Sequence, residues 1–256
     1  MLIDSHAHLQ FEDFKADLIQ TLQRAQQNGV GKIILPGSSF SSSLAGLKLA
    51  EGNDNLYAAI GIHPHHLNEF DNQLKRKLTQ LIKQYQPIAI GETGFDFYQI
   101  DEKDLPLVNK KQQALFKLQI ELAINFDLPL IIHSRQAAKE TMATLNTYKK
   151  QVRGVFHCYA NGKKQINAVC ELEFYFGLDG NLTYDEGLQN VAKAIPLERI
   201  LLETDSPELT PLPFRQLRNE PKNVKLVAEK LAEIKGLSFE KIAEVTSNNA
   251  KKLFNL

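Results

Sequence analysis

The sequence predicts an α/β chain folded as a (β/α)8 TIM barrel, and three observations predict it. Eight short apolar runs alternate with longer amphipathic stretches, which is the pattern of a parallel sheet covered by helices. Eight such repeats favour a closed barrel over an open doubly wound sheet. The length of 256 residues also suits a barrel, which takes about 250. One domain over residues 1–256 is therefore expected. With 43% hydrophobic residues, the chain can bury a large core, which excludes disordered, collagenous and disulfide-scaffold classes.

The expected strands are Leu2–Ile3, Lys32–Pro36, Tyr57–Ile62, Ile88–Ile90, Leu130–Ile132, Gly154–Phe156, Phe174–Leu178 and Ile200–Leu202. Each is short and rich in β-branched or aromatic side chains, as buried strands are. Helical spacing appears between them. Leu18, Leu22 and Ala25 recur on one face, with Gly29 as the stop. Leu115, Leu118 and Leu122 do the same ahead of Pro129, and Val224, Val227, Ala228 and Leu231 ahead of Gly236. Ser238 reads as the cap of a last helix. Two segments look irregular, Asp96 to Pro106 and Ser206 to Pro221. Both follow strands, so both are expected at one end of the barrel.

Lysine plus arginine number 30 and aspartate plus glutamate 30, giving no net charge. A protein that coats nucleic acid carries a basic excess; one that grips a strand end needs few phosphate contacts. Cys158 and Cys170 are too few for a disulfide framework and suit a reducing compartment. No run approaches the ~18 apolar residues of a membrane span, and MLIDSHAHLQ lacks the basic start and apolar run of a signal peptide. A cytoplasmic monomer is the expectation.

The chemistry gathers where strands end. The first run leads into Asp4-Ser5-His6-Ala7-His8 and the third into His63-Pro64-His65-His66. The fourth leads into Gly91-Glu92-Thr93-Gly94, the fifth into His133-Ser134-Arg135, the sixth into His157-Cys158 and the eighth into Glu203-Thr204-Asp205. All 7 histidines fall at such ends. In a barrel these ends share the face that carries the active site. His6 and His8, two apart on a strand, face one side and suit a divalent metal. Glu92 after an apolar strand needs a metal or an arginine partner. Asp205 is a ligand or a helix cap. His133 and His157, at matching positions on neighbouring strands, read as ligands of a second metal. Such a donor set suits Zn, Mn or Mg.

These segments, DSHAHL, GIHPH, GETGFDFY, LPLIIHSR, HCYANG, LLETDSP and RNEP, resemble in order and spacing the TatD-like metal-dependent hydrolases, over nearly the whole chain. The resemblance implies a TIM barrel related to the amidohydrolases and a metal-dependent deoxyribonuclease, of which 3′-to-5′ exonucleases are known. It implies that His6, His8 and Asp205 hold one metal, that His133 and His157 hold a second, and that Glu92 lies between them. His63 matches the family's GxHP histidine, which contacts the scissile group. The chain departs from the family at Tyr159-Ala160-Asn161 and at Gln216-Leu217, positions that bear on substrate choice.

The expected reaction is hydrolysis by an activated water. Asp205 and Glu92 are the catalytic carboxylates, with Asp205 taking the proton, and His63 and Arg135 contact substrate. Arg218 is a further candidate for phosphate, His65 and His66 weaker ones. Asp4 is read as orienting a ligand histidine and Asp96 as lining the pocket mouth. Glu203 is either a partner of Asp205 or half of a core ion pair. Cys158 is read as a small buried residue pointing away from His157, and not as a nucleophile. The substrate is a DNA end; the alternatives are another ester, such as a D-aminoacyl-tRNA or small phosphoester, and a non-catalytic barrel with a structural metal.

Overall fold

A computed structural model describes residues 1–256. The eight strands are β1 (Leu2–Asp4), β2 (Val30–Leu35), β3 (Leu56–Ala58), β4 (Ile90–Asp96), β5 (Leu130–Arg135), β6 (Gly154–Phe156), β7 (Tyr175–Leu178) and β8 (Ile200–Leu202). All pair in parallel, as β1-β2-β3 and β4-β5-β6-β7-β8. Single bridges join the two sets: Ile60 to Ile90, and Ala7 to Ser206. Backbone hydrogen bonds from Ser5 N to Leu202 O (2.9 Å) and Asp205 N to His6 O (2.8 Å) complete the closure. The barrel has no free edge.

Helices cover the outside: α1 (Leu18–Gln27), α2 (Phe40–Glu51), α3 (Leu74–Tyr85), α4 (Leu105–Asn125), α5 (Ala138–Asn146), α6 (Ile166–Glu171), α7 (Glu186–Ala194), α8 (Val224–Lys235) and α9 (Phe239–Phe254). Gly236 ends α8 in the left-handed conformation (φ 64°), which costs a residue without Cβ nothing. Ser238 caps α9, accepting from Lys241 N. Several expected bounds shift: the third strand stops at Ala58 instead of Ile62, and the fifth runs on from Ile132 through Arg135. The fourth strand runs through Asp96 instead of stopping at Ile90, so Glu92 lies within it. Pro106 belongs to the first turn of α4, where a missing N–H costs nothing.

The barrel interior explains where the polar side chains end up. Ile3, Ile34, Ala59, Ala89, Ile131, Val155, Tyr175 and Leu201 form one apolar cluster, sealed below by Ala250, Leu253 and Phe254 of α9. Each strand or strand approach supplies one of these side chains. Two residues further on, the next inward positions are His133, His157, Gly177 and Glu203, because side chains alternate along a strand. An apolar floor thus carries a polar layer directly above it.

Gly177 is the small member of that layer. A Cβ there would collide with the Glu203 carboxylate. Gly177→Ala is expected to destabilise the fold by roughly 1–3 kcal/mol, the usual cost of overpacking a filled core. Urea denaturation of the variant checks this, and an unchanged midpoint would contradict it.

Candidate metal centre and active site

The six side chains read from strand ends as ligands converge in one mouth. His6 Nε2 and His8 Nε2 lie 3.3 Å apart. Asp205 Oδ1 lies 3.4 Å from the first and 3.5 Å from the second. Glu92 Oε2 is 3.7 and 3.8 Å from the same two nitrogens. Four donor atoms of a tetrahedral ion with bonds of 2.0–2.2 Å stand about 3.4 Å from one another, so this set fits a divalent cation.

The other oxygen of Glu92 faces a second set. Oε1 is 2.9 Å from His133 Nδ1 and 2.8 Å from His157 Nε2, and these nitrogens are 3.0 Å apart. One carboxylate therefore serves both groups, an oxygen to each. Glu92 and Asp205 are in ion-pair range only of histidines, with no lysine or arginine near them. The arginine salt bridge and the helix cap, the two simpler roles open to these carboxylates, are both absent. Burial alone would raise the Glu92 carboxyl, but the surrounding histidines hold it well below the ordinary range. Asp205 is likewise held ionised, burial being outweighed by His8, His6 and His157.

Asp96 orients His133. Its Oδ2 lies 2.9 Å from His133 Nε2, while its backbone is clamped by Gln112 of α4 (3.0 and 2.9 Å). A carboxylate on the far nitrogen of a ligand histidine fixes the ring and raises its basicity. Burial opposes charging His133, yet Asp96 and Glu92 outweigh it and push its pKa up to about 9.

His63 is of a different kind. Its Nε2 is 3.6 Å from Glu92 Oε1, and its Nδ1 accepts from His65 N at 3.1 Å. The hydrogen-bond network thus places the ring proton on Nε2, where it can be donated. Burial depresses the ring pKa to about 3. This is a neutral ring whose Nε2 faces the shared Glu92 carboxylate, within reach of Glu92 and His133.

A cavity of about 550 Å³ opens over the site, lined by His133, Arg135, His157, Asp205 and Asn181 among others. The Arg135 guanidinium sits over the Tyr98 ring, its central carbon 3.6 Å from the centroid. His65 is half-exposed and reaches only Asp96 (3.2 Å).

Four readings change. Arg218 does not line the cavity. Its guanidinium is bound by Asp17 (2.8 Å) and Glu220 (3.2 Å) and rests on Phe14. Cys158 does not point away from His157: its Sγ lies within 4.8 Å of a His157 ring nitrogen and 3.6 Å from Asp205 Oδ2. Burial and neighbouring carboxylates push that thiol well up, so it remains protonated and is no nucleophile. Glu203 forms no ion pair; it accepts from Cys158 N (2.5 Å) and Ser5 Oγ (3.3 Å), and burial raises its carboxyl well above the ordinary range. Asp4 touches no ring, but accepts from the backbones of His6 (3.2 Å) and Thr204 (3.0 Å), tying the end of β1 to the end of β8.

Asp17 offers a check on the surface network. Arg218 and Arg24 hold its carboxyl well below the ordinary range. The stabilisation is therefore present above pH ~4, the ordinary carboxylate value, and disappears as pH falls through the depressed value. Asp17 is one-third exposed, so Asp17→Asn should cost only about 1 kcal/mol at pH 7. Denaturation at pH 7 and pH 2 should show that difference shrinking in acid.

Sequence reading passed over the end of the seventh strand, Asp179-Gly180-Asn181, because it carries no histidine. Asn181 nevertheless lines the cavity. The two glutamines of α4 were also not foreseen. Gln119 bonds Ile62 N and O and Thr93 Oγ1, and with Gln112 it fixes the strand ends from outside.

Residues 3–255 match the family model described as TatD related DNase. The chain belongs to that family. Among TatD-family relatives, the Bacillus subtilis protein called uncharacterized metal-dependent hydrolase YabD is 36% identical over 260 residues, covering all of both chains. The Pantoea ananatis protein called 3′-5′ ssDNA/RNA exonuclease TatD is 29% identical over 264 residues, again covering both chains fully. The crystal structure of the Escherichia coli TatD homologue YjjV superposes with a TM-score of 0.92 at 32% identity, covering 100% of this chain and 98% of that one. The chain is thus a metal-dependent hydrolase of the TatD family with a TIM-barrel fold. No helix is long and apolar enough to cross a membrane.

Proposed function

We propose that the chain is a two-metal phosphodiesterase that removes nucleotides from the 3′ end of single-stranded DNA. The observation that carries this reading is the division of Glu92 between two donor groups, Oε2 toward His6 and His8 and Oε1 toward His133 and His157. His6, His8, Asp205 and Glu92 would hold one ion, and His133, His157 and Glu92 the other, with Zn, Mg and Mn as the candidates. Bound there, two such ions would supply a water of lowered pKa and charge stabilisation for the attacking and leaving oxygens of a phosphodiester.

The chain's own groups supply the rest. Asp205 Oδ1 faces His6 and His8, while Oδ2 lies on the Cys158 side of the cavity. Oδ2 takes the proton of the attacking water. His63 donates from Nε2 to a non-bridging phosphoryl oxygen. Arg135 pairs with the phosphate at the mouth, its planar fork kept in place by Tyr98. The name of the Pantoea relative supports the polarity and strandedness.

The test is nucleotide release from single-stranded DNA labelled at one end or the other, with Mg, Mn or Zn added. Metal-dependent mononucleotide release beginning at the 3′ end is expected. Metal-loaded protein that releases nothing would contradict the reading and move the substrate to another ester.

A further inference from the structure

The catalytic cavity has a neighbour that the mechanism above does not use. A second cavity of about 260 Å³ is lined by Tyr184, Arg215 and the loop between them in space, and it shares Glu208 and Leu209 with the catalytic one. Arg215 lies over the face of Tyr184, 4.1 Å from the ring centroid. The Tyr184 hydroxyl is hydrogen-bonded to Asn181, which lines the catalytic cavity. Continuity thus runs from the catalytic cavity through Asn181 and Tyr184 to Arg215.

The loop that carries Arg215 is held firmly. Thr210 Oγ1 donates to Leu217 O (2.6 Å), Asn219 Nδ2 to Glu208 O (2.7 Å), and Leu212 N to Thr183 Oγ1 (2.9 Å). Yet this tethered loop exposes Phe214 at 41% and Leu217 at 64%. Leu217 lines the cavity, and with Leu212 and Phe214 it puts three large apolar side chains of one loop in water, a clustering that marks a contact surface. Arg215 itself has no carboxylate partner, unlike Arg24, Arg153 and Arg218, which are all ion-paired. Arg135, across the catalytic cavity, shares this unpaired state and its stacking on a tyrosine. A guanidinium that has a ring beneath it and no carboxylate keeps its N–H edge free for a phosphate.

We propose that the Arg215–Tyr184 cavity is the subsite for the nucleotide next to the scissile bond. Arg215 pairs with its phosphate, and its base stacks against the apolar and aromatic side chains of the loop. The inference rests on the reading of the chain as a nuclease and adds where the rest of the strand lies. Only an unpaired strand fits, because stacking on protein side chains needs free base faces. The absence of net charge agrees, since a few placed contacts replace a broad basic surface.

The test compares a hexadeoxynucleotide with bis(p-nitrophenyl) phosphate, a diester with nothing beyond the scissile group. The ratio of kcat/KM for the two is the readout. Arg215→Ala and Tyr184→Ala should each shrink that ratio about tenfold, chiefly through KM on the strand. A hexanucleotide with an abasic residue next to the scissile bond should show the same loss with the wild-type protein. Strand cleavage with the ratio unchanged in both variants would overturn the subsite and leave the nuclease reading standing. Turnover of the small diester alone, with no strand cleaved by the wild-type protein, would overturn both.

Discussion

Asp205→Asn is expected to reduce turnover on the order of 10³-fold, the loss of a general base, while the barrel stays folded. An amide oxygen can still face His6 and His8, but it cannot take a proton at neutral pH. The backbone makes the variant a clean one. Asp205 sits in the left-handed region, with φ at 53°, and Asn tolerates that region better than other non-glycine residues do. The melting temperature should therefore move by no more than a few degrees. The check is kcat on a phosphodiester together with a thermal melt. Near-wild-type turnover in a folded variant would remove Asp205 from the mechanism.

Glu92→Gln is expected to cost more metal than any single histidine change. Each Glu92 oxygen faces a different donor group, so the substitution removes a negative charge from both. Metal content measured after dialysis should fall at the two positions together, whereas His133→Ala should weaken one. The structural consequence is smaller. Gln keeps the volume of Glu92, and no lysine or arginine loses a partner. Loss of a single equivalent, with the other held as tightly as in the wild type, would mean that Glu92 is not shared.

The barrel and the convergence of its six donor side chains were legible because two periodicities coincide. Side chains alternate along each strand, so His133 and His157 follow the core residues Ile131 and Val155 by two. All strands also run the same way, so their ends meet on one face. Glu92 was legible as an acid amid apolar residues. What was not legible depends on neighbours far away in sequence. Arg218 looked like a phosphate ligand until Asp17, about 200 residues earlier, was seen against it. Cys158 turns toward Asp205 because its backbone takes a positive φ of 44°, which alternation along a strand does not foresee. Glu203 occupies the space that Gly177 leaves open, a complementarity visible only across the barrel. Of the second cavity only Gln216-Leu217 was legible, as a departure from the family pattern; the pairing of Arg215 with Tyr184, 31 positions away, was not.

The most direct measurement is the anomalous scattering of crystals grown with manganese. Two peaks are expected, one against each oxygen of Glu92, the first among His6, His8 and Asp205 and the second beside His133 and His157. A single peak, or a pair of which neither touches Glu92, would contradict it.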